Sequence, residues 1–278
     1  MYSRFVNGKG VIICLYVDDM LIFGTDLEQV QMTKKLLSKN FNMKDLGEAD
    51  VILGIKILRK ENRLMLTQSH YIKKILKSFD SFNCLLVSTP LKAVGRLSRH
   101  TSSPGKERLD AINRVFKYLK KTIDYSLEYI GDPSVLESYT DASWINDQED
   151  YASMRGWIFT FGGGAVSWGS KKQSCLTEST MAKEFVTLAS CCKEAEWLRD
   201  LLINIPLWPK PMLPVFVHCD SQSTLSRANN QVYNGSEAAF YELKGLALKH
   251  SEKPRYRPKA SLNRLAQSGL NEQEEGYA

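Results

Sequence analysis

The chain has 278 residues, 43% hydrophobic and 24% charged, with a formal net charge of +6. That balance excludes a disordered chain and allows one or two domains with their own cores. The longest apolar run, Val11 to Val17, ends on charge after seven residues, far short of the roughly 20 that span a bilayer, so no membrane partner is expected.

Six cysteines occur without a Cys-x-x-Cys pair. This pattern predicts free thiols in a reducing, intracellular setting rather than a disulfide framework or a zinc site. The N-terminus lacks a secretory pattern. A positive net charge permits nucleic-acid contact without requiring it.

In chain order, VIICLYV and MLIFG predict a hairpin whose two-residue turn is Asp18-Asp19. Two adjacent carboxylates between apolar strands repel each other and lose hydration, so the pair reads as an exposed turn or as half of a metal site. LEQVQMTKKLLSKNF has helical periodicity, VILGIKIL reads as one strand, and HYIKKILKSF as a helix. Residues 85–106 have loop chemistry. Leu109, Ile112, Val115, Phe116 and Leu119 form the stripe of an amphipathic helix.

SYTDASW, RGWIFTFGG and AVSWGSK predict three strands, with Gly162-Gly163-Gly164 as a hairpin turn. A long helix follows over TESTMAKEFVTLASCCKEAEWLRDLLINI, with Met181, Phe185, Leu188, Cys192, Ala195 and Leu202 on its apolar face and Pro206 ending it. PVFVHCD predicts a strand, and a short helix runs from Ser221 to about Asn229. Residues 236–278 lose periodicity, and KPRYRPK (253–259) reads as a soluble tail or a nucleic-acid tract.

Asp141 falls on a strand, Glu184 on the border of the long helix's apolar stripe, and Asp220 at the end of PVFVHCD. Together they would form a hard oxygen site suited to Mg²⁺. Spacing leaves the alternative open, with Asp220 capping the next helix and Asp141 ending a strand. His218 reads as a structural residue. Trp144, Trp157, Trp168 and Trp197 read as packing residues, with base stacking as the other role open to them.

GVIICLYVDDMLIFGTD, FNMKDLGEADVILGIKI, LTQSHYIKKIL and VSTPL resemble, in order, the later part of a copia-type LTR-retrotransposon reverse transcriptase, in its plant form. SRHTSSPGKERLDAINRVFKYLKKTIDYSLEY resembles the segment joining it to ribonuclease H. YTDASW through EWLRDLL, PLWPKP and HCDSQSTL resemble that ribonuclease H domain. The resemblance covers roughly residues 10–235. It implies an α/β fold: a truncated α+β palm and thumb remnant (1–92), a shortened connection segment (93–136), a ribonuclease H-like mixed sheet with packed helices (137–235) and a divergent, disordered tail (236–278).

The same resemblance implies Mg²⁺, or Mn²⁺, held by Asp141, Glu184 and Asp220 as catalytic ligands that cleave RNA in RNA–DNA hybrids. It gives Asp18 and Asp19 a polymerase metal role, with Tyr16 near the primer end. Tyr16, Lys171 and Lys172 become candidate nucleic-acid contacts. No small-molecule cofactor is implied.

Three departures temper these implications. No Asp or Glu precedes Asp18, whereas the family's polymerase draws another aspartate from an upstream strand. Polymerase activity from this chain alone is therefore not expected, and the hairpin reads as an orphaned turn facing solvent. Leu97 and Ser98 join stretches that the family separates. No Asp follows Asp220, where the family has a fourth carboxylate. Glu237, Glu242, Glu252, Glu272, Glu274 and Glu275 lie outside its motif, and Ala182 stands where relatives often carry an acid. A catalytically inactive relic, or a nucleic-acid-binding protein, is the alternative to a working nuclease.

Overall fold

The structure, a computed structural model, describes residues 2–81, 106–143, 154–173, 179–205, 208, 210–230 and 245–251. The junction at Leu97 and Ser98, Trp144, the KPRYRPK tract and the six later glutamates lie outside the described residues, as does the side chain of Lys172. The described residues form a mixed α/β protein of two compact units. The first is drawn from within 1–49 and 131–255, the second from within 50–130.

The N-terminal part of the first unit is a three-stranded antiparallel sheet, β1 (Tyr2–Val6), β2 (Lys9–Tyr16) and β3 (Asp19–Gly24), followed by helix α1 (Leu27–Asn40). Sequence reading did not assign β1. Its turn, Asn7-Gly8, has φ of 52° and 76°, the left-handed pair that lets a two-residue hairpin follow the strand twist.

The next hairpin turns on Val17 and Asp18 rather than on Asp18 and Asp19, since Tyr16 pairs with Asp19. Val17 takes the left-handed region at φ 50°, where a β-branched side chain crowds its own backbone. The alternation of apolar residues does not reveal this one-residue shift.

The second unit holds a four-stranded antiparallel sheet in the order β4 (Val51–Ile52), β5 (Ile55–Lys60), β6 (Arg63–Thr67) and β7 (Ser126–Tyr129), with helices α2 (Ser69–Ser78) and α3 (Lys106–Lys121). VILGIKIL is thus two strands and not one. Leu53 and Gly54 turn between them with φ of 52° and 75°, and an apolar turn residue hides the break. Leu76 and Met65 are buried, and the Phe79 and Phe116 rings stack at 5.0 Å. Leu109, placed on the buried stripe of α3 by periodicity, is 51% exposed.

The rest of the first unit is a five-stranded sheet built from β8 (Glu137–Ser143), β9 (Met154–Phe161), β10 (Gly164–Lys172), β11 (Val215–Cys219) and β12 (Leu246–His250). The spatial order is β10-β9-β8-β11-β12. The first three strands are antiparallel neighbours, and β11 lies parallel to both β8 and β12.

The long helix α4 (Thr180–Ile203) and the short α5 (Gln222–Ala228) cover the core. Ser179 caps α4 by accepting from the Ala182 N–H at 3.1 Å. The core gathers Phe159, Leu188, Cys191, Ala195, Val215 and Val217, all fully buried. Strand β12 departs from the disordered tail expected over 236–278, of which only residues 245–251 are described: Leu246 is buried against this core, in a stretch too short and isolated to show a period of its own. Among the described residues no helix is long and apolar enough to cross a membrane.

Candidate metal centre

The C-terminal ends of β8 and β11 lie side by side, with Thr140 paired to Cys219. Asp141 and Asp220, each one residue further on, therefore stand at the same level, Asp141 still within β8 and Asp220 just past β11. The carboxyl ends of neighbouring parallel strands are a common place for a site. Asp141 does not end its strand, which continues through Ser143 and pairs Asp141 with Gly156.

Nor does Asp220 cap α5. Ser221 does that, its Oγ accepting from the Thr224 N–H at 3.3 Å. The bland roles open to both aspartates are thus filled by other residues.

Glu184 reaches the same place from the first turns of α4. It does not merely border the apolar stripe, as periodicity suggests, but is 6% exposed. The helix buries a broad surface, Lys183, Glu184, Thr187, Leu188, Cys191, Cys192, Ala195 and Leu198, so its polar edge is drawn inward.

Glu184 Oε1 accepts from the Ala142 backbone N–H at 3.2 Å, while Oε2 is buried without a hydrogen-bond partner. Burial, then the neighbouring charge of Asp220, push this carboxyl up to about 7; the Ala142 N–H opposes them and Asp141 adds to the rise. Asp141 is likewise raised, first by loss of hydration and then by Asp220. An isolated carboxylate this deep is costly, and a bound cation offsets the cost.

Among the described residues, one group of three side chains brings ligand atoms within 4.8 Å of one another: Glu184, Cys219 and Asp220. Asp141 stands outside that group although its charge is felt by Glu184. Cys219 was not foreseen as a site residue. Its place before Asp220 was visible, but its closeness to Glu184 depends on how α4 packs on β11.

The remaining candidates are dispersed. Tyr16 is 58% exposed at the hairpin, and Asp18 and Asp19 are exposed beside it. No third metal ligand gathers at that pair among the described residues. Lys171 is exposed on β10 with its Nζ 5.7 Å from the centre of the Trp157 ring. Trp157 is packed, while Trp168 and Trp197 are largely exposed. His218 stacks on Tyr139 at 4.8 Å, and burial lowers its pKa despite Glu137 nearby. Its Nε2 is 3.8 Å from Glu137 Oε1, too long for a hydrogen bond.

Residues 1–93 match the family described as Reverse transcriptase (RNA-dependent DNA polymerase). The chain is 34% identical over 280 residues to the Retrovirus-related Pol polyprotein from transposon TNT 1-94 of Nicotiana tabacum, an alignment covering 84% of this chain and 21% of that protein. It is 28% identical over 268 residues to the corresponding polyprotein from transposon RE1 of Arabidopsis thaliana, covering 82% of this chain and 18% of the relative. The chain belongs to the copia-type retrotransposon Pol family.

This copia-type chain spans about a fifth of the length of these two polyproteins. Its reverse-transcriptase match contains Tyr16, Asp18 and Asp19, while the gathered acidic residues lie beyond it, in the five-stranded sheet unit. Among solved structures, RNase H1 from the halophilic archaeon Halobacterium salinarum NRC-1 is similar at 17% identity and a TM-score of 0.27, covering 45% of this chain and 89% of that one.

Proposed function

We propose that the five-stranded sheet with α4 and α5 is a ribonuclease H-like unit that cleaves the RNA strand of an RNA–DNA hybrid. In this reading Asp141, Glu184 and Asp220 hold a divalent cation, Mg²⁺ or Mn²⁺. The observation that carries it is the Glu184 carboxylate. One oxygen is fixed by the Ala142 N–H, the other is buried without a partner, and the carboxyl group reaches within 4.8 Å of Asp220.

A divalent ion bound there supplies Lewis acidity and lowers the pKa of water. Glu184 contributes a fixed oxygen through its hydrogen bond. Asp220 contributes one from the mouth of the sheet, held between β11 and the Ser221 cap. Asp141 adds negative charge on the neighbouring strand. Tyr16, Lys171 and Lys172 are the proposed nucleic-acid contacts, with Lys171 on a strand of the same sheet. Cys14, Cys191, Cys192 and Cys219 are free thiols, which supports an intracellular, reducing setting. Asp18 and Asp19 mark the polymerase part of the family's sequence and take no role in this cleavage.

The test is cleavage of a labelled hybrid by the purified chain in Mg²⁺ and then Mn²⁺. Cleavage is expected to need the metal and to fall by about 10²–10³ in Asp141→Asn, Glu184→Gln and Asp220→Asn, as losses of single electrostatic groups do in other sites. Salt-sensitive binding without cleavage would overturn the reading in favour of a nucleic-acid-binding relic.

A further inference from the structure

We infer that Cys219 makes this centre a site for thiophilic divalent cations, Zn²⁺ or Cd²⁺, which its sulfur favours over Mg²⁺. The inference rests on the reading of this pocket as a cation centre and adds a ligand that the reading does not use.

A sulfur atom in a carboxylate site changes which metal is favoured. Mg²⁺ takes oxygen ligands and gains little from sulfur, whereas zinc and its heavier relatives bind thiolate strongly. The Cys219 Sγ and the carboxylate oxygens of Glu184 and Asp220 lie within 4.8 Å of one another. Ligands of a tetrahedral zinc ion are about 3.6 Å apart, from a Zn–S bond near 2.3 Å and a Zn–O bond near 2.1 Å. A closure of up to about 1 Å by the side chains thus lets one ion touch all three atoms.

The second observation is independent of the cysteine. Glu184 is 6% exposed, and its Oε2 has no hydrogen-bond partner. A buried, unpartnered oxygen on a carboxyl group that lies within reach of the thiol is a ligand position left open. Cys219 itself is fully buried and closes the inner side of the group, while Asp220 is exposed and gives the ion a way in. Binding replaces the Cys219 S–H bond with a sulfur–metal bond, and the proton passes to the buffer. No oxidant or reductant takes part.

The experiment titrates the reduced full-length chain with Cd²⁺ alone and follows the ultraviolet absorption of the thiolate–cadmium bond. One ion per chain is expected in wild type. Cys219→Ser and Glu184→Gln should each weaken Cd²⁺ binding by roughly tenfold or more, since losing a direct ligand costs at least as much as losing an outer-shell partner. Cys14→Ser should bind as wild type does. Circular dichroism confirms that each variant is folded, and Glu184→Gln, which leaves the thiol in place, covers the case in which Cys219→Ser fails to fold.

Wild-type affinity in Cys219→Ser would overturn the inference, as would an unchanged titration in Glu184→Gln. The two readings fail separately. Cd²⁺ binding is read without substrate, so a chain that binds Cd²⁺ through Cys219 but never cleaves hybrid with Mg²⁺ counts against the nuclease alone. A Cys219→Ser chain that keeps both Mg²⁺-dependent cleavage and wild-type Cd²⁺ affinity counts against the thiol ligand alone.

Discussion

Glu184 concentrates the energetic tension of the molecule in one carboxyl group. Its pKa rises from 4.5 to about 7, chiefly through burial and then through Asp220. The sign follows from linkage: a carboxyl whose folded pKa is raised favours the folded state when protonated, and that stability is lost as pH climbs from the unfolded to the folded value. In a chelator, the sheet unit should therefore weaken between about pH 4.5 and pH 7. The slope is up to about 1.4 kcal/mol per pH unit, on the order of 3 kcal/mol across the window. Glu184→Gln keeps the shape and removes the charge. It should unfold later than wild type at pH 8 in chelator and show a flatter pH profile. Mg²⁺ should stabilise the wild type and leave the variant unmoved. Urea unfolding at pH 5 and pH 8, with and without Mg²⁺, checks this; a variant that is weaker than wild type at pH 8 without metal would contradict it.

The elements that hold these side chains are anchored at their ends. Ser221 sits between Asp220 and α5, its Oγ taking the Thr224 N–H at 3.3 Å and lying 2.8 Å from the Thr224 hydroxyl. Ser221→Ala should cost about 1 kcal/mol, as lost helix caps do, and should weaken Mg²⁺ binding because Asp220 is held only between the end of β11 and this cap. Ser221→Asn should restore both. Calorimetric Mg²⁺ titration alongside urea unfolding measures the pair of effects. Elements with their own periodicity, α1, α2, α3, α4 and the strands of SYTDASW, RGWIFTFGG, AVSWGSK and PVFVHCD, were legible in the sequence. Those that depend on distant partners were not. RLMLT and SLEY form β6 and β7 by pairing Leu64 with Tyr129 across α2 and α3, and LALKH becomes β12 because β11 offers it a parallel edge. The same limit applies at the centre, where the residue types of Asp141, Glu184 and Asp220 could be read but the depth of Glu184 and the arrival of Cys219 required the packing of α4.

At the scale of the whole chain, the five-stranded sheet is closed by its last and most remote strand. Strand β12 covers the outer edge of β11: the Val215 N–H donates to Gly245 O at 2.9 Å, the Ser251 N–H donates to Cys219 O at 3.1 Å, and Leu246 is 5% exposed. Without β12, β11 would become an edge strand with unpaired backbone groups and a buried apolar flank opened to water, the arrangement that invites aggregation. β11 also delivers Cys219 and Asp220, so damage at that edge should reach the proposed metal centre. A chain ending at Asn230 should lose cooperative unfolding of the sheet unit and scatter light at temperatures where the full chain stays clear. Leu246→Ala is the milder form of the same insult. It should cost roughly 2–3 kcal/mol, in the range of large-to-small core changes, and should reduce Mg²⁺ affinity although Leu246 pairs with Val215, at the far end of β11 from Asp220. If the shortened chain unfolds as cooperatively as the full one and binds Mg²⁺ equally well, β12 is an ornament on a sheet that β11 already completes, and the centre draws its order from α4 and α5 alone.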